Sequence, residues 1–200
     1  MGVLVGKSAP DFTCSAVLGS GEIADGYTRS EAMAGKYGLV FFYPLDFTFV
    51  CPSELIALEH RMDRFRELGV EVVAVSIDSH FTHNAWRNTA VKDGGIGAVS
   101  YVMAADLNHD ICRAYDVQTS GGVAFRGAFL IDKDGLVRAQ LVNDLPLGRN
   151  IDELVRLVEA LQFHEEHGEV CPAGWNKGDA GMTASPEGVA SYLSENADEL

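Results

Sequence analysis

The chain has 200 residues, 47% of them hydrophobic and 22% charged, with a formal net charge of −14. It is long enough to bury one substantial core, and its acidity opposes phosphate backbones and anionic lipid surfaces, which argues against nucleic-acid and membrane partners. No apolar run reaches membrane-spanning length, and the start lacks a basic segment leading into a long apolar one, so a cytoplasmic address is the expectation.

In chain order, residues 13–18 read as a short strand closed by the turn Gly19-Ser20-Gly21. Residues 39–43, Leu-Val-Phe-Phe-Tyr, form an apolar run of the kind that makes a fully buried strand, ended by Pro44. Beyond Pro52 the periodicity becomes helical: Leu55, Leu58, Met62, Phe65 and Leu68 recur every three or four residues before the stop at Gly69. A second buried strand is expected over 70–77, a helix over 82–91 with Trp86 inward, a third strand over 99–103 and a short helix over 108–115. The pattern 125–131, Asp-Lys-Asp-Gly, 136–142 predicts a β-hairpin, because Asp-Gly supplies the positive φ of a tight turn. Asn150 with Glu153 resembles a capping box opening a last long helix. From Gly168 onward the composition turns to Gly, Pro, Ser and acids, which predicts a tail lying over the body, with a closing helix over 186–196 capped by Ser185. The division expected is a domain over 1–167 and a tail over 168–200. Strands alternating with helices predict an α/β fold with a mixed central sheet flanked by helices.

Four cysteines, Cys14, Cys51, Cys112 and Cys171, lie far apart with no Cys-x-x-Cys pair. In a reducing compartment that spacing points to redox chemistry at one or two of them rather than to a disulfide framework or a zinc knuckle. Cys51 stands between a buried strand and a helix start, where unpaired N–H groups and the helix dipole favour a thiolate. Pro52 suits the first helical position, and Thr48 falls within the same turn or its cap. Arg126, inside the apolar run Ala-Phe-Arg-Gly-Ala-Phe-Leu, either sits at an exposed edge or turns inward to meet an anion. Cys14 and Cys112 have apolar neighbours and read as packed residues. His80 with His83, and His164 with His167, lack a third metal ligand and read as solvated or capping residues. No metal or cofactor is expected.

The segment Pro44-x-x-x-Thr48-x-x-Cys51 resembles the active-site loop of the typical 2-Cys peroxiredoxins, the family of alkyl hydroperoxide reductases and thiol-specific antioxidants. Val170-Cys171-Pro172-Ala173-Gly174-Trp175 resembles that family's resolving-cysteine segment, and the likeness spans nearly the whole chain. It implies a thioredoxin-like fold with an N-terminal extension and a C-terminal tail. It also implies a thiol peroxidase acting on hydrogen peroxide and organic hydroperoxides, with Cys51 as the peroxidatic cysteine. Thr48, Arg126, Pro44 and Glu54 would belong to the catalytic site, with Glu54 orienting Arg126, and Arg149 matches a second family arginine. Cys171 would resolve the Cys51 sulfenic acid as an intersubunit disulfide, within a homodimer often assembled into a decamer of five dimers. Thioredoxin or a flavoprotein disulfide reductase would be the electron donor. Gly94-Gly95-Ile96-Gly97 and Tyr192-Leu193 approximate the family's features for over-oxidation, which predicts intermediate to high sensitivity. A disulfide oxidoreductase is disfavoured, since Glu54 occupies the place of a second cysteine. A holdase-type chaperone or a peroxide-sensing redox relay is the alternative.

Overall fold

The computed structural model describes residues 2–200, as two compact units, Met1–Ile151 and Asp152–Leu200. The first is built on a seven-stranded mixed sheet of order β2-β1-β5-β4-β3-β6-β7. Its strands are β1 (Thr13–Val17), β2 (Ile23–Thr28), β3 (Tyr37–Phe42), β4 (Val70–Ser76), β5 (Val102–Ala105), β6 (Arg126–Ile131) and β7 (Val137–Asn143). β3, β4 and β5 run parallel, as expected of strands linked by helical crossovers, whereas β1–β2, β1–β5, β3–β6 and β6–β7 pair antiparallel.

Every residue of β3 and β6 is buried, so their apolar runs show no alternation. Phe42, Tyr115 and Phe129 meet edge-on and tilted in the core, with ring centroids 4.9–5.8 Å apart, and burying each such ring contributes about 1.5–3 kcal/mol. The hairpin turn at Asp-Lys-Asp-Gly forms as predicted, with Gly135 at φ 83° and Asp132 Oδ1 accepting from the N–H groups of Asp134 and Leu136. The helices are α1 (Arg29–Ala32), α2 (Cys51–Glu59), α3 (Met62–Glu67), α4 (His80–Asn88), α5 (Asp110–Ala114), α6 (Ile151–His167) and α7 (Pro186–Asn196).

The structure departs from the sequence pattern in several places. Strand β2 was not anticipated, because Asp25 and Gly26 interrupt its pattern; it is an edge strand with half its residues exposed, where such interruptions are tolerated. The single helix expected from Pro52 to the stop at Gly69 is two helices. Arg61 N–H bonds to the Leu58 carbonyl three residues back, and Arg61 leaves helical geometry at ψ 0°, yet Leu55, Leu58, Met62 and Phe65 all remain buried. The third strand begins at Val102 rather than residue 99.

In the second unit, α6 carries Phe163, whose ring lies 4.8 Å from that of Trp175, and Arg156 donates to the Trp175 carbonyl at 2.8 Å. Ser185 caps α7 by accepting from the Gly188 N–H at 3.0 Å, as predicted. No helix among the described residues is long and apolar enough to cross a membrane.

Candidate active site

Strand β3 delivers the site. Tyr43 N–H still bonds to the Val75 carbonyl, and the buried Pro44, which has no N–H to offer the ladder, turns the chain out of the sheet. The next residues form a tight loop. Asp46 N–H bonds to Asp78 Oδ2 at 2.8 Å, and Phe47 adopts φ 52°, a left-handed conformation that costs a bulky residue about 1–2 kcal/mol. The Thr48 hydroxyl donates to the Leu45 carbonyl at 2.8 Å. Of the two places its position allowed, turn or cap, it is therefore a brace within the loop and not the helix cap.

Helix α2 begins at Cys51 itself, with Val50 at the N-cap and no side-chain cap, so Pro52 is the second helical residue and not the first. Neither position has an intrahelical acceptor for its N–H, which is why proline fits at both. The N–H groups of Ser53 and Glu54 return to the Val50 carbonyl. With Pro52 lacking an N–H, the Cys51 N–H is what the first turn can offer to an approaching oxygen.

Cys51 is fully buried, whereas Phe49, two residues earlier, is 97% exposed. In this conformation the sulfur is shielded from solvent. It is nonetheless paired with a cation. Arg126 opens β6, between β3 and β7, and is buried, so it is the inward-facing arginine of the two alternatives. Its Nη1 donates to Cys51 Sγ at 3.4 Å and to Glu54 Oε2 at 2.7 Å, while Nε donates to the Leu145 carbonyl at 2.7 Å. Three contacts from one planar group fix its orientation. Burial works against the guanidinium charge, but the contacts with Cys51 and Glu54 outweigh it and raise the Arg126 pKa.

Glu54 is held by two arginines. Arg149 donates through its backbone N–H and Nε to Oε1, each at 2.8 Å, and through Nη2 to Oε2 at 3.1 Å. Arg149 Nη1 reaches the Gly127 carbonyl at 2.6 Å, and the guanidinium stacks 3.4 Å over the Phe41 ring. Burial alone would raise the pKa of Glu54, but hydrogen bonds and charge from Arg149, then the charge of Arg126, overcome it and hold the carboxyl below its usual range. Arg149 is thus part of the site and does not merely flank α6. Gly127 has its own reason: a Cβ there would lie 3.0 Å from the Phe129 ring and 3.1 Å from Val117.

A buried polar group beside the loop escaped sequence reasoning. His83 is completely buried, its Nδ1 2.8 Å from Asp46 Oδ2 and its Nε2 3.2 Å from the Ala104 carbonyl; Tyr43 donates to Asp46 Oδ1 at 2.7 Å. The solvated or capping role expected of His83 is therefore wrong, and the signal available was Trp86 three residues on, marking the inner face of α4. Burial raises the pKa of Asp46 despite its partner His83. The exposed His164 and His167 bond to the carbonyls of Glu169 and Phe163. Among the described residues, no group of three or more His, Cys, Asp or Glu side chains is arranged to hold a metal.

The other cysteines differ in setting. Burial pushes the Cys14 thiol up to about 11, and burial followed by the Asp106 charge pushes Cys112 up to about 12. Cys171 belongs to the second unit, is part-buried, and directs its thiol at the Ala160 carbonyl at 3.4 Å. Burial raises its pKa, with Arg156 opposing. Gly94-Gly95-Ile96-Gly97 follows a 3-10 turn over Val91–Asp93, and Tyr192 and Leu193 lie on α7.

Comparison with known proteins agrees with this arrangement. Residues 5–140 match the AhpC/TSA family and residues 160–195 the C-terminal domain of 1-Cys peroxiredoxin. Alkyl hydroperoxide reductase C of Helicobacter pylori is 53% identical over 198 residues, 99% of this chain and 100% of that protein. Peroxiredoxin-2 of Mus musculus is 46% identical over 96% of both chains. The reduced 2-Cys peroxiredoxin of Plasmodium vivax superposes with a TM-score of 0.93 at 44% identity, covering 96% of this chain and 100% of that one. Sheet order, buried thiol and chain-long similarity converge: this chain belongs to the AhpC/TSA family, has the thioredoxin-like fold of the peroxiredoxins, and is a thiol-dependent peroxidase.

Proposed function

We propose that Cys51 is the peroxidatic thiol and that the contact of 3.4 Å from Arg126 Nη1 to its sulfur carries the assignment. A cation at that distance stabilises negative charge on sulfur before attack and on the departing oxygen during it. The thiolate attacks one oxygen of a hydroperoxide, the O–O bond breaks, and the leaving oxygen takes a proton, giving Cys51 sulfenic acid and an alcohol or water. Ionisation alone gains only about thirtyfold in thiolate over an ordinary cysteine, against the millionfold typical of enzymes. Holding the peroxide in line therefore falls to Arg126, the Cys51 N–H and the Thr48 loop. Glu54 and Arg149 keep Arg126 in place, and Pro44 ends the strand where the loop must leave it. Motion of the strained segment around Phe47 admits the oxidant to a sulfur that is shielded at rest.

Cys171 serves as the resolving thiol: it condenses with the sulfenic acid, releasing water and forming a disulfide, which a dithiol donor then reduces. Two readings support it, the tail motif around Cys171 and the AhpC and 2-Cys peroxiredoxin relatives. In this reading the disulfide joins two copies, the chain is a homodimer able to build a decamer, and thioredoxin or a flavoprotein disulfide reductase returns both thiols in a reducing compartment such as the cytoplasm. Non-reducing electrophoresis after one equivalent of peroxide tests it. A covalent dimer should form, and vanish with reductant, with Cys51→Ser and with Cys171→Ser; a purely monomeric disulfide would contradict the pairing.

A further inference from the structure

Cys171 is docked on α6 at both ends of one short turn. Its thiol donates to the Ala160 carbonyl at 3.4 Å. Four residues on, beyond the left-handed Gly174 at φ 71°, the Trp175 carbonyl accepts from Arg156 Nη1 at 2.8 Å, and the Trp175 ring lies 4.8 Å from that of Phe163. Residues 156, 160 and 163 share one face of the helix, so the turn lies along it. Val170, just before Cys171, exchanges both backbone bonds with Met182, which ties the turn to the tail rather than to α6.

Arg156 is itself braced. Glu153, one turn earlier, accepts from its Nε at 2.6 Å and its Nη2 at 2.7 Å, a bidentate pair that leaves Nη1 for the turn. The two side chains are partly exposed, at 26% for Arg156 and 34% for Glu153, and the carboxylate balances the guanidinium. Arg156 therefore does little for a Cys171 thiolate, although its charge opposes the burial that raises the thiol's pKa. Its hydrogen bond counts for more. A thiol is a weak donor, whereas a guanidinium bond to a carbonyl is charge-assisted and roughly twice as strong as a neutral one, so Arg156 supplies the main polar hold of α6 on the segment from Cys171 to Trp175. On the reading of Cys171 as the resolving thiol, we propose that Arg156, braced by Glu153, is a positioning residue of the resolving step: a clasp that keeps the turn docked and whose release sets how fast Cys171 reaches the Cys51 sulfenic acid. Once free of the Ala160 carbonyl, the Cys171 sulfur attacks the sulfenic sulfur, an S–S bond forms, the S–O bond breaks, and the oxygen leaves as water with the thiol proton. Until then a second peroxide can carry the sulfenic acid on to sulfinic acid.

Quenched-flow mixing of the reduced full-length protein with hydrogen peroxide tests this, with disulfide and Cys51 sulfinic acid both quantified by mass spectrometry as the peroxide is raised. Arg156→Met keeps an aliphatic stem on α6 and removes the donors. It should form the disulfide about three- to tenfold faster than the parent, the range for losing one net hydrogen bond, and sulfinic acid per turnover should fall by the same factor. The preceding oxidation of Cys51 should keep its rate. Arg156→Lys, which retains a donor for the Trp175 carbonyl, should return most of the way to the parent, and Glu153→Gln, which removes the brace, should fall between the parent and Arg156→Met. If Arg156→Met fails to fold, Glu153→Gln against Arg156→Lys still decides. Unchanged disulfide formation in Arg156→Met, or equal rates in Arg156→Met and Arg156→Lys, overturns the clasp. Slower formation overturns it too, by making Arg156 a thiolate stabiliser. A parent that forms no disulfide between Cys51 and Cys171 overturns instead the assignment of Cys171 on which the clasp rests.

Discussion

Cys51 and Cys112 are both fully buried, and each lies in the first turn of a helix, Cys51 as the first residue of α2 and Cys112 as the third of α5. What differs is the charge beside the sulfur. Cys51 faces the Arg126 guanidinium at 3.4 Å. Cys112 faces the Asp106 carboxylate, which takes the Ile111 and Cys112 backbone N–H groups at 2.9 and 2.8 Å. At Cys112 the carboxylate consumes the donors of the helix start, and burial together with its charge drives the thiol up to about 12. Position at a helix N-terminus is thus shared by two buried cysteines with opposite charges beside the sulfur, and does not by itself make a cysteine reactive.

Removing the cation from the Cys51 side should have the largest effect. Arg126→Ala is expected to lower the second-order rate of Cys51 oxidation by peroxide about 10²–10³-fold, the range for losing one donor to a developing oxyanion. Stopped-flow rates should stay low even at alkaline pH, where the thiolate is supplied by base; full recovery there would reduce Arg126 to a thiolate stabiliser.

Next is the acid that holds this cation. Glu54→Gln leaves Arg126 and Arg149 buried without their shared counter-charge and should destabilise the protein by about 3–5 kcal/mol in denaturant titrations. The pH dependence follows from the direction of its shift. Because the folded-state pKa of Glu54 lies below its unfolded value, its contribution is complete above the ordinary carboxylate range, near about 4.3. It is lost as pH falls through the depressed folded value. The parent should lose stability along that acid limb, and Glu54→Gln should flatten it.

The smallest change sharpens the comparison from the other side. Asp106→Asn removes the charge and keeps one acceptor oxygen for the two α5 N–H groups, so the Cys112 thiol should move down from about 12 while stability falls by about 1–3 kcal/mol for the N–H left unpaired. Alkylation of Cys112 in the native protein should accelerate several-fold at pH 9, read by mass spectrometry; no change would mean that burial alone sets its reactivity.

Much of this was legible because it is local. The apolar run of β3, its termination at Pro44 and the helix after Cys51 occupy one stretch of sequence, and Arg126 stood out as a charge inside an apolar strand. The Ser185 cap and the Asp-Gly turn were equally local, and both formed. What escaped depends on pairs distant in sequence. Glu54 meets Arg149 across 95 residues, and Asp46 meets His83 across 37. No periodicity encodes which buried polar groups will satisfy one another. The break between α2 and α3 was invisible for another reason: Glu59, His60 and Arg61 include neither Gly nor Pro, and the apolar spacing is unchanged by a tightened turn. The burial of Cys51 is likewise a matter of tertiary packing, which composition does not report.

The second-order rate constant of Cys51 oxidation, measured at neutral pH beside free cysteine under the same peroxide concentrations, tests the central claim most directly. The guanidinium at 3.4 Å from the sulfur predicts a rate constant orders of magnitude above that of free cysteine. A rate that matches free cysteine would contradict it.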